Sequence, residues 1–426
     1  MKVYTDFALE MGFEKGESCP CNFRHPKGLA MTVHGNDFAL TGGTKELLWC
    51  KKMFEAKFEI TAKILGHEQG QESEIRVLNR IIRWEAAGVV YEPDQRHVEM
   101  IIRELGLESA GSVLTPGTRV EHDAASAPYG IPGIELEDDS EPMPPEQATK
   151  FRGLVARCNY LAQDRVDLQY ASKEASRRMA RPCNGDWKMV KRIGRYLVGA
   201  PRFEQLFRWQ EVPSHVGVFT DSDWAGCKTT CRSTSGGAMI WGAHCLKTWS
   251  STQTTIALSS AEAELYALTK GAAQGFGMMA LLSDFGIAVN VTVHTDASAA
   301  IGIVRRAGLG KLRHLNVRYL WVQDQVKREL LGLEKVAGAE NPADIATKHV
   351  SVEIMKRHLD RMGVRTSGGR ARSAPVLGSL GRTSPRRGQR GGARNRDKDG
   401  DLEEVLYWAS KCVGVLARCE LSSRLR

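Results

Sequence analysis

The sequence lacks the features of a secreted or membrane-spanning protein. None of its apolar runs approaches the ~18 residues that a membrane helix needs, and residues 1–6 are polar where a secretory signal would be hydrophobic. Its ten cysteines are scattered and suggest no disulfide framework. We therefore expect an intracellular protein, in the cytoplasm or the nucleus and not secreted, with no membrane partner.

The charge balance favours positive side chains. The chain has 59 lysines and arginines against 50 aspartates and glutamates, which gives a net charge of +9. Such a balance favours a polyanionic partner such as nucleic acid, although a merely basic soluble protein has it too. The 426 residues are enough for about two to three domains.

Composition and hydrophobic spacing divide the chain into regions. Residues 1–118 contain two short strands around a turn at Gly35 and Asn36, and helices over residues 44–57 and 95–106, which predicts a compact α+β region. Residues 119–145 are an acidic linker, residues 146–213 a helical connection, and residues 214–362 a domain of alternating strands and helices. Residues 363–400 are an Arg/Gly/Ser-rich disordered segment, and residues 401–426 form a short C-terminal helix. The Arg-rich segment is either a solubilising tail or a nucleic-acid-binding arm.

The helical connection carries basic side chains among apolar ones. Lys191, Arg192 and Arg195 lie on a helix whose apolar residues recur at helical spacing. Basic and aromatic side chains interleaved on helices suit a phosphate backbone, so these three residues are candidate nucleic-acid contacts. The alternative is an amphipathic helix pair whose basic face is only solvated.

The region 214–362 alternates between strand and helix. A strand over residues 216–220 and a hairpin form a meander, and a long helix, a fourth strand over residues 291–294, further helices and a fifth strand follow. We predict a helix within residues 313–329 and a last helix that begins at Asn341. This order indicates an α/β fold, a mixed five-stranded sheet with helices packed on it.

Four acidic residues lie at the ends of these elements. Asp221 and Asp296 end strands, and Glu262 and Asp344 lie in the first turns of helices. Such ends can converge on one edge of a mixed sheet, where two-metal phosphodiester hydrolysis needs about three or four carboxylates. Magnesium prefers hard oxygen ligands, so we expect two Mg²⁺ ions, with Mn²⁺ as the alternative. Glu262 and Asp344, which lie near helix N-termini, could instead only favour the helix dipole.

The residues around these acids form six motifs in a fixed order. The motifs occupy residues 219–226 with 232–236, 248–253, 257–267, 293–300, 313–319 and 341–348. Together they resemble the ribonuclease H domain of copia-type LTR-retrotransposon Pol polyproteins. The resemblance implies that Asp221, Glu262, Asp296 and Asp344 hold the metals, and that the partner is an RNA–DNA hybrid whose RNA strand is cut.

Two assignments within the motifs have alternatives. Glu264 competes with Glu262 as the second acid, and we prefer Glu262 because it lies one turn before Leu265 and nearer the start of the helix. His314, beside Arg313 on a basic helix, is a candidate contact to the nucleic-acid backbone. The alternative for His314 is an ordinary surface histidine.

The resemblance extends upstream and covers roughly residues 5–360. Residues 1–118 resemble the end of a copia-type reverse-transcriptase palm and the thumb-like part after it, and residues 146–213 resemble the connection. The family's catalytic hairpin carries two adjacent aspartates, whereas this sequence has Asn36 and Asp37 there. An amide is a poorer magnesium ligand than a carboxylate. We therefore predict a degenerate polymerase site and no reverse-transcriptase activity.

Two functions are consistent with these observations. The first is an enzyme, a metal-dependent endonuclease that hydrolyses the RNA strand of RNA–DNA hybrids. The second is a catalytically decayed retroelement fragment that keeps the fold and only binds nucleic acid. The four acids favour the enzyme, and the degenerate polymerase site favours the decayed fragment.

Overall fold

The computed structural model describes residues 2–35, 37–118, 141–310 and 312–376. This part of the chain is mixed α/β, with one four-stranded and two five-stranded sheets. None of its helices combines the length and the apolar composition needed to cross a membrane. The predictions for residues 119–140 of the acidic linker and for residues 377–426 lie outside the described residues.

The first sheet is antiparallel, and its four strands follow chain order. Its elements are α1 Lys2–Glu10, β1 Glu14–Lys15, β2 Asn22–His25, β3 Leu29–His34, β4 Asp37–Thr41 and α2 Thr44–Lys57. The core contains Phe7, Phe23, Met31 and Phe54, and the rings of Phe7 and Phe54 meet edge to face with centroids 5.3 Å apart. The predicted strands and the helix over residues 44–57 are confirmed.

A second group of elements forms what we call the middle sheet and its helices. The elements are β5 Glu74–Val77, β6 Arg80–Glu85, β7 Gly88–Glu92, α3 Gln95–Glu104, α4 Pro145–Asp164, α5 Val166–Ser176, α6 Trp187–Gly199 and β8 Arg202–Arg208. Strand β8 pairs with β7, so the end of the helical connection continues a sheet that begins before residue 118. Ile101, Leu154 and Leu197 pack helices α3, α4 and α6 together.

The C-terminal sheet has five strands in the order β11-β10-β9-β12-β13. The elements are β9 His215–Asp223, β10 Thr234–Trp241, β11 His244–Thr252, α7 Ser260–Asp284, β12 Asn290–Thr295, α8 Ser298–Arg305, α9 Trp321–Lys327, β13 Leu331–Lys335 and α10 Val352–Arg361. Strands β9, β10 and β11 are antiparallel, whereas β12 is parallel to both β9 and β13. The predicted mixed five-stranded sheet is therefore confirmed.

Both faces of the C-terminal sheet are covered. Val216 and Val218 of β9 are buried in the core that includes α7, whereas Phe219 points to the opposite face, toward a core that includes Ile345 and Leu359. This alternation is the period of two expected of a strand buried on both sides. The carboxyl-terminal parts of β9 and β12, which are parallel neighbours, carry the candidate site.

Two predicted helices are shorter in the structure. The segment that begins at Arg313 is a turn, followed by a 3-10 helix Val317–Leu320 and then α9, because Asn316 accepts a hydrogen bond from the N–H of Arg318 and so caps the start of helical structure there. Asn341 likewise caps its segment, but the helical structure that it opens is only a 3-10 turn, Pro342–Ala346.

The first residues of the predicted disordered segment 363–400 are folded instead. Strand β14, Val364–Ser367, pairs with β8 and completes the middle sheet. Its Val364 side chain is buried, and Nε of Arg365 lies 3.0 Å from a carboxylate oxygen of Glu204. An arginine-rich composition does not reveal a strand whose charged side chains are paired across a sheet, and the prediction was wrong for these residues.

Candidate active site

Asp221 and Asp296 lie side by side at one edge of the C-terminal sheet. Strands β9 and β12 are parallel neighbours, with Phe219 in register with His294. Each aspartate lies two residues further along, where the carboxyl ends of the two strands meet. The carboxylates of Asp221, Asp296 and Glu264 offer oxygen atoms that all lie within 4.8 Å of one another. The predicted convergence of the two strand-end aspartates is confirmed, and we call the three residues the acidic cluster.

Glu264 reaches this edge because α7 packs closely on the sheet. A Cβ atom on Gly271 would lie 2.4 Å from Cγ2 of Thr220, so only glycine allows this approach. Oε1 of Glu264 accepts hydrogen bonds from the backbone N–H and the hydroxyl of Ser222, both at 3.1 Å. Oε2 of Glu264 is buried and has no hydrogen-bond partner among the described residues. This oxygen is therefore open to a cation.

Glu262 does not belong to the acidic cluster, contrary to our prediction. Its carboxylate accepts hydrogen bonds from the hydroxyl of Tyr266 and the backbone N–H of Leu258, the latter at 3.0 Å, and lies 2.9 Å from Nε2 of His314. Burial alone would raise the pKa of Glu262, but these hydrogen bonds lower it. The contacts to Leu258 and His314 join the start of α7 to neighbouring segments, the bond from Tyr266 lies within α7, and none of the three joins Glu262 to the cluster.

The helix geometry explains this correction. Glu262 and Glu264 are two residues apart, about 200° around the helix axis, so they point in different directions. The prediction used Leu265 to mark the inner side of the helix. The side that touches β9 is marked instead by Gly271 and Gly275, where a Cβ atom would clash with the sheet. Glu264 lies on the same side of the helix as these glycines, seven residues before Gly271. This spacing was the feature of the sequence that could have identified Glu264 as the acid facing the sheet.

Asp344 lies beside the acidic cluster rather than within it. Nδ2 of Asn341 donates a hydrogen bond to the carbonyl oxygen of Thr220 at 2.9 Å, and this bond holds the 3-10 turn against the end of β9. Oδ1 of Asp344 lies 2.9 Å from Nζ of Lys348, and the same Nζ lies 3.9 Å from Oδ2 of Asp221. A lysine ammonium therefore links the two aspartates.

Thr347 and Lys348 contact the site and were not predicted. The hydroxyl of Thr347 donates a hydrogen bond to Oδ2 of Asp221. A Cβ atom on Gly236 would lie 2.5 Å from Cγ2 of Thr347, so this glycine lets the turn reach the sheet. The signal for Lys348 was its spacing, because a lysine four residues after Asp344 can pair with it on one side of a helical turn.

The electrostatics of the cluster follow from crowding of like charges. Burial raises the pKa of Asp221 to about 7; Lys348 opposes this rise, and the negative charges of Asp344 and Asp296 add to it. Burial, and next the charge of Asp221, raise the pKa of Glu264 to about 8. Neighbouring carboxyl groups with raised pKa values form a site that a bound cation would stabilise.

The donor set fits a divalent cation that prefers oxygen. Three carboxylates converge, one of them has a buried oxygen without a protein partner, and the group contains neither histidine nor cysteine. Hard cations such as Mg²⁺ and Mn²⁺ prefer such ligands. The residues that could hold a metal are therefore Asp221, Glu264 and Asp296, with Asp344 next to them.

Two of the predicted nucleic-acid contacts are engaged within the protein. Arg192 donates a hydrogen bond from Nη2 to Oγ1 of Thr115 at 3.0 Å, and Arg195 donates from Nε to the carbonyl oxygen of Gly111 at 2.8 Å. Both arginines therefore hold the segment after α3 against α6. Lys191 is exposed on the same helix and remains a candidate contact.

The other two candidate contacts lie on a turn near the start of α7. Arg313 is exposed, and the side chain of His314 is 42% exposed and is held by Glu262. His314 contacts Glu262, which lies on the same turn of α7 as Glu264 although its side chain points in a different direction. The predicted contact of Arg313 and His314 to nucleic acid stays a prediction.

The degenerate polymerase site falls on the turn between β3 and β4. Asn36 lies outside the described residues, and Asp37 begins β4 opposite His34. In the described part of the chain, Asp37 belongs to no group of three potential metal ligands. The predicted absence of polymerase activity stays a prediction.

The chain is similar to retrovirus-related Pol polyproteins and to other curated proteins, although no protein-family model matches it. It is 27% identical over 219 residues to the retrovirus-related Pol polyprotein from transposon RE2 of Arabidopsis thaliana. This match covers 51% of this chain and 15% of that protein. It is also 24% identical over 354 residues to the retrovirus-related Pol polyprotein from transposon TNT 1-94 of Nicotiana tabacum. This match covers 82% of this chain and 26% of that protein. The chain thus spans only a minor part of these two polyproteins.

One solved structure has a distant overall likeness. It is the foamy viral protease-reverse transcriptase in complex with RNA/DNA hybrid, which matches 79% of this chain and 37% of that chain at 9% identity, with a TM-score of 0.43. A likeness at this level carries no argument about function.

Proposed function

We propose that this chain, which belongs to the Pol polyproteins of copia-type retrotransposons, is a ribonuclease H that hydrolyses the RNA strand of RNA–DNA hybrids. The observation that carries the proposal is the acidic cluster, in which Asp221, Glu264 and Asp296 converge at the joined ends of β9 and β12. The mixed five-stranded sheet with helices on both faces supports an RNase H-like fold for residues 214–362.

The acidic residues would hold two Mg²⁺ ions, or Mn²⁺ in their place. Asp221, Glu264 and Asp296 would bind one ion, and Asp344, which adjoins Asp221, would contribute to the second. Bound ions of this kind activate a water molecule and stabilise the leaving oxygen of a phosphodiester.

The chain's own residues orient these acids. Ser222 holds one oxygen of Glu264 through two hydrogen bonds and leaves the other open. Thr347 holds one oxygen of Asp221, while Lys348 offsets the charge of Asp221 and Asp344. Because burial and crowding favour the protonated cluster, a cation must displace protons to bind, and its affinity rises with pH.

The proposed substrate is recognised through its backbone. Proteins distinguish A-form helices by groove shape, phosphates and 2′-hydroxyls rather than by base edges. Lys191, Arg313 and His314 present polar or charged groups at the surface, and such side chains position a nucleic acid without reading its sequence. We therefore expect cleavage with little sequence preference.

The direct test is cleavage of a hybrid duplex labelled on its RNA strand by the purified full chain. We expect RNA products with Mg²⁺ and none with EDTA. A DNA duplex and an RNA duplex of the same sequence are the matched substrates, and neither should be cut. An intact RNA strand under conditions in which the protein is folded and binds the hybrid would contradict the proposal.

The second candidate function is binding of nucleic acid without catalysis. The observation that favours it is Lys348, whose ammonium already pairs with Asp221 and Asp344 on the side of the proposed second ion. A protein of this kind would bind the hybrid but would show no Mg²⁺-dependent rise in thermal midpoint. The cleavage assay and a metal titration followed by thermal unfolding together separate the two functions.

We also propose that the protein works in a reducing, intracellular compartment. The cysteines within the described residues are all free, and several of them are buried. Free buried thiols are common in proteins of reducing compartments. Localisation of the tagged full chain in cells tests this proposal, and recovery of the chain from the secreted fraction would contradict it.

A further inference from the structure

Glu262 is a buried carboxylate that the acidic cluster does not use. Its side chain is 2% exposed, and its three hydrogen-bonding neighbours come from different segments: Tyr266 from α7, Leu258 from the loop before α7, and His314 from the turn after α8. A buried charge is costly unless it is hydrogen-bonded. The arrangement therefore fixes the position of His314 at the start of α7.

His314 keeps one side of its ring open. Nε2 lies 2.9 Å from Oε2 of Glu262, whereas no group in the described part of the chain hydrogen-bonds to Nδ1. The ring is half-exposed, so a ligand from solution can reach Nδ1. Glu262 and His314 thus form a pair in which one nitrogen is committed to the protein and the other faces outward.

The segment that follows His314 is anchored at two points. Leu315 is buried in the core of the C-terminal sheet. The ring centroid of Tyr319 lies 4.1 Å from that of Tyr266, and the hydroxyl of Tyr319 accepts a hydrogen bond from Nη2 of Arg318 at 2.8 Å. These contacts restrict the position of the open nitrogen, which lowers the entropy that binding a ligand would cost.

The chemistry of the exposed groups favours an anion. Arg313 and Arg318 are exposed on either side of the buried Leu315. An imidazole ring with protons on both nitrogens donates from each, so Nδ1 can donate a hydrogen bond to a phosphate oxygen while Nε2 donates to Glu262. A phosphodiester is an anion of this kind, and it occurs at regular spacing along the proposed substrate.

The pair and the acidic cluster share one helical turn, although Glu262 and Glu264 point to different sides of it. Glu262 and Glu264 share the first turn of α7, whose pitch is about 5.4 Å. The phosphates of one strand follow each other at about 3.4 Å along a duplex axis. If one phosphodiester of a nucleic-acid strand lies at the cluster, another phosphate a few nucleotides along the same strand can therefore reach His314.

We propose that Glu262 and His314 form a phosphate-binding pair, in which Glu262 is the positioning residue and Nδ1 of His314 binds a backbone phosphate of the nucleic acid that lies across the acidic cluster. This inference rests on the proposed function for the identity of the nucleic acid, a hybrid duplex. It assigns the contact to binding and not to the chemical step.

The test uses two substitutions of His314 in the full chain. Glutamine places an amide nitrogen near the position of Nε2 but nothing at Nδ1, so His314→Gln keeps the bond to Glu262 and loses the phosphate contact, whereas His314→Ala loses both. The readout is the Kd for a labelled RNA–DNA hybrid in EDTA, which needs no catalysis. We expect both variants to raise Kd about tenfold, as for loss of a charge-assisted hydrogen bond. His215→Ala is the control, because His215 is exposed at the opposite end of β9, and its Kd should equal that of the parent.

A second variant tests the positioning role. Glu262→Gln should raise Kd about threefold in the parent and should have no further effect in the His314→Gln background, because Glu262 acts through His314. A Kd for His314→Gln equal to the parent's, or an equal effect of Glu262→Gln in both backgrounds, would overturn the inference. If the parent binds the hybrid but does not cut it with Mg²⁺, the proposed function fails while the Kd values still decide the inference. If the parent does not bind the hybrid, both are overturned.

Discussion

In the middle sheet, the buried residues Glu92 and Glu204 contact arginines, whereas in the C-terminal sheet Asp221 and Glu264 are buried next to each other. A carboxylate oxygen of Glu92 lies 2.6 Å from a guanidinium nitrogen of Arg83. Burial would raise the pKa of Glu204, but hydrogen bonds from its arginine partners lower it to about 2. Burial and the charge of Asp221 raise the pKa of Glu264 to about 8.

The difference separates carboxylates whose charge is neutralised within the protein from carboxylates whose charge is not. In the middle sheet each buried carboxylate has its cation within the protein, and the network joins strands from distant parts of the chain. In the acidic cluster Lys348 offsets only part of the negative charge, and Glu264 keeps an oxygen without a partner. A protein tolerates such a deficit where a ligand supplies the missing charge.

The largest expected effect is on catalysis, from Asp296→Asn. The substitution keeps the shape of the side chain but removes a charge that would offset a bound cation. Loss of one ligand from a two-metal site should cost several kcal/mol of transition-state stabilisation, which is on the order of a thousandfold in rate. The measurement is the initial rate of hybrid cleavage with Mg²⁺. Asp324→Asn, on the exposed side of α9, is the control and should cut at the parent rate.

The thermal midpoint without metal distinguishes a lost ligand from a lost fold. Asp296→Asn should unfold at or slightly above the parent midpoint, because like charges in the cluster repel each other. Cleavage at the parent rate would show that Asp296 has no metal-binding role. Loss of cleavage together with a lower midpoint would indicate a structural role instead.

The next effect is on stability, in the middle sheet. Glu92→Gln removes one of the two buried carboxylates that pair with Arg83 and Arg202, while Glu204 still pairs with both, and should lower the free energy of unfolding by about 2 kcal/mol, as for loss of a hydrogen bond between charged groups. Urea unfolding measures the change. Glu85→Gln, at the more exposed rim of the same network, should cost less than about 1 kcal/mol. Equal effects of the two substitutions would contradict the view that burial determines how much each ion pair contributes to the free energy of unfolding.

Much of the C-terminal sheet could be predicted from local patterns. Apolar runs bounded by turn residues gave its strands, and Asp221 and Asp296 were found because each follows a strand. The choice between Glu262 and Glu264 required knowing which side of α7 touches the sheet, and that is decided by close contact at Gly271 rather than by hydrophobicity.

Long-range pairing could not be predicted. Strand β14 lies in an arginine-rich stretch, and its partner β8 is far away in the chain. The charges that look unfavourable in the sequence are neutralised only across the sheet, as with Arg365 and Glu204. The sequence also did not reveal that Arg192 and Arg195 hydrogen-bond to a neighbouring segment, and their contact to nucleic acid stays a prediction.

A smaller effect is expected on the pH dependence of stability, from Glu264→Gln. The pKa of Glu264 is raised from 4.5 to about 8 in the folded protein, so between these pH values the folded state holds a proton that the unfolded state has lost. The metal-free parent should therefore lose stability as the pH rises from about 4.5 to 8. The variant should lose less stability over this range. Its free energy of unfolding should exceed the parent's most at pH 8, by about 1 kcal/mol or more.

Thermal unfolding at pH 5 and pH 8, with EDTA and with Mg²⁺, measures this prediction. With Mg²⁺ at pH 8 the parent should have the higher thermal midpoint, because the ion stabilises only a protein that binds it. Glu108→Gln, an exposed change in the segment after α3, is the control and should follow the parent under all conditions. A variant whose advantage over the parent is the same at both pH values would show that Glu264 is not the source of the pH dependence.

The smallest expected effect comes from a third kind of charge, the arginines of residues 377–400, which include Arg386, Arg387 and Arg390. A chain that ends after Val376 should keep the parent's free energy of unfolding, because β14 remains. It should bind nucleic acid more weakly, with a salt dependence that flattens by about 0.9 in the slope of log K against log salt for each lost phosphate contact with duplex DNA.

A chain that ends after Gly363 is the matched comparison. It also loses β14, and with it the burial of Val364 and the pair between Arg365 and Glu204. We expect this second truncation to lower stability measurably, since burial of one such side chain contributes about 1.5 kcal/mol or more, with no further change in the salt slope. The two truncations thus separate arginines that bind outside the protein from those that stabilise it. An unchanged slope after the first truncation would mean that the tail only solubilises the chain. Equal stabilities of the two truncated chains would mean that β14 does not stabilise the middle sheet.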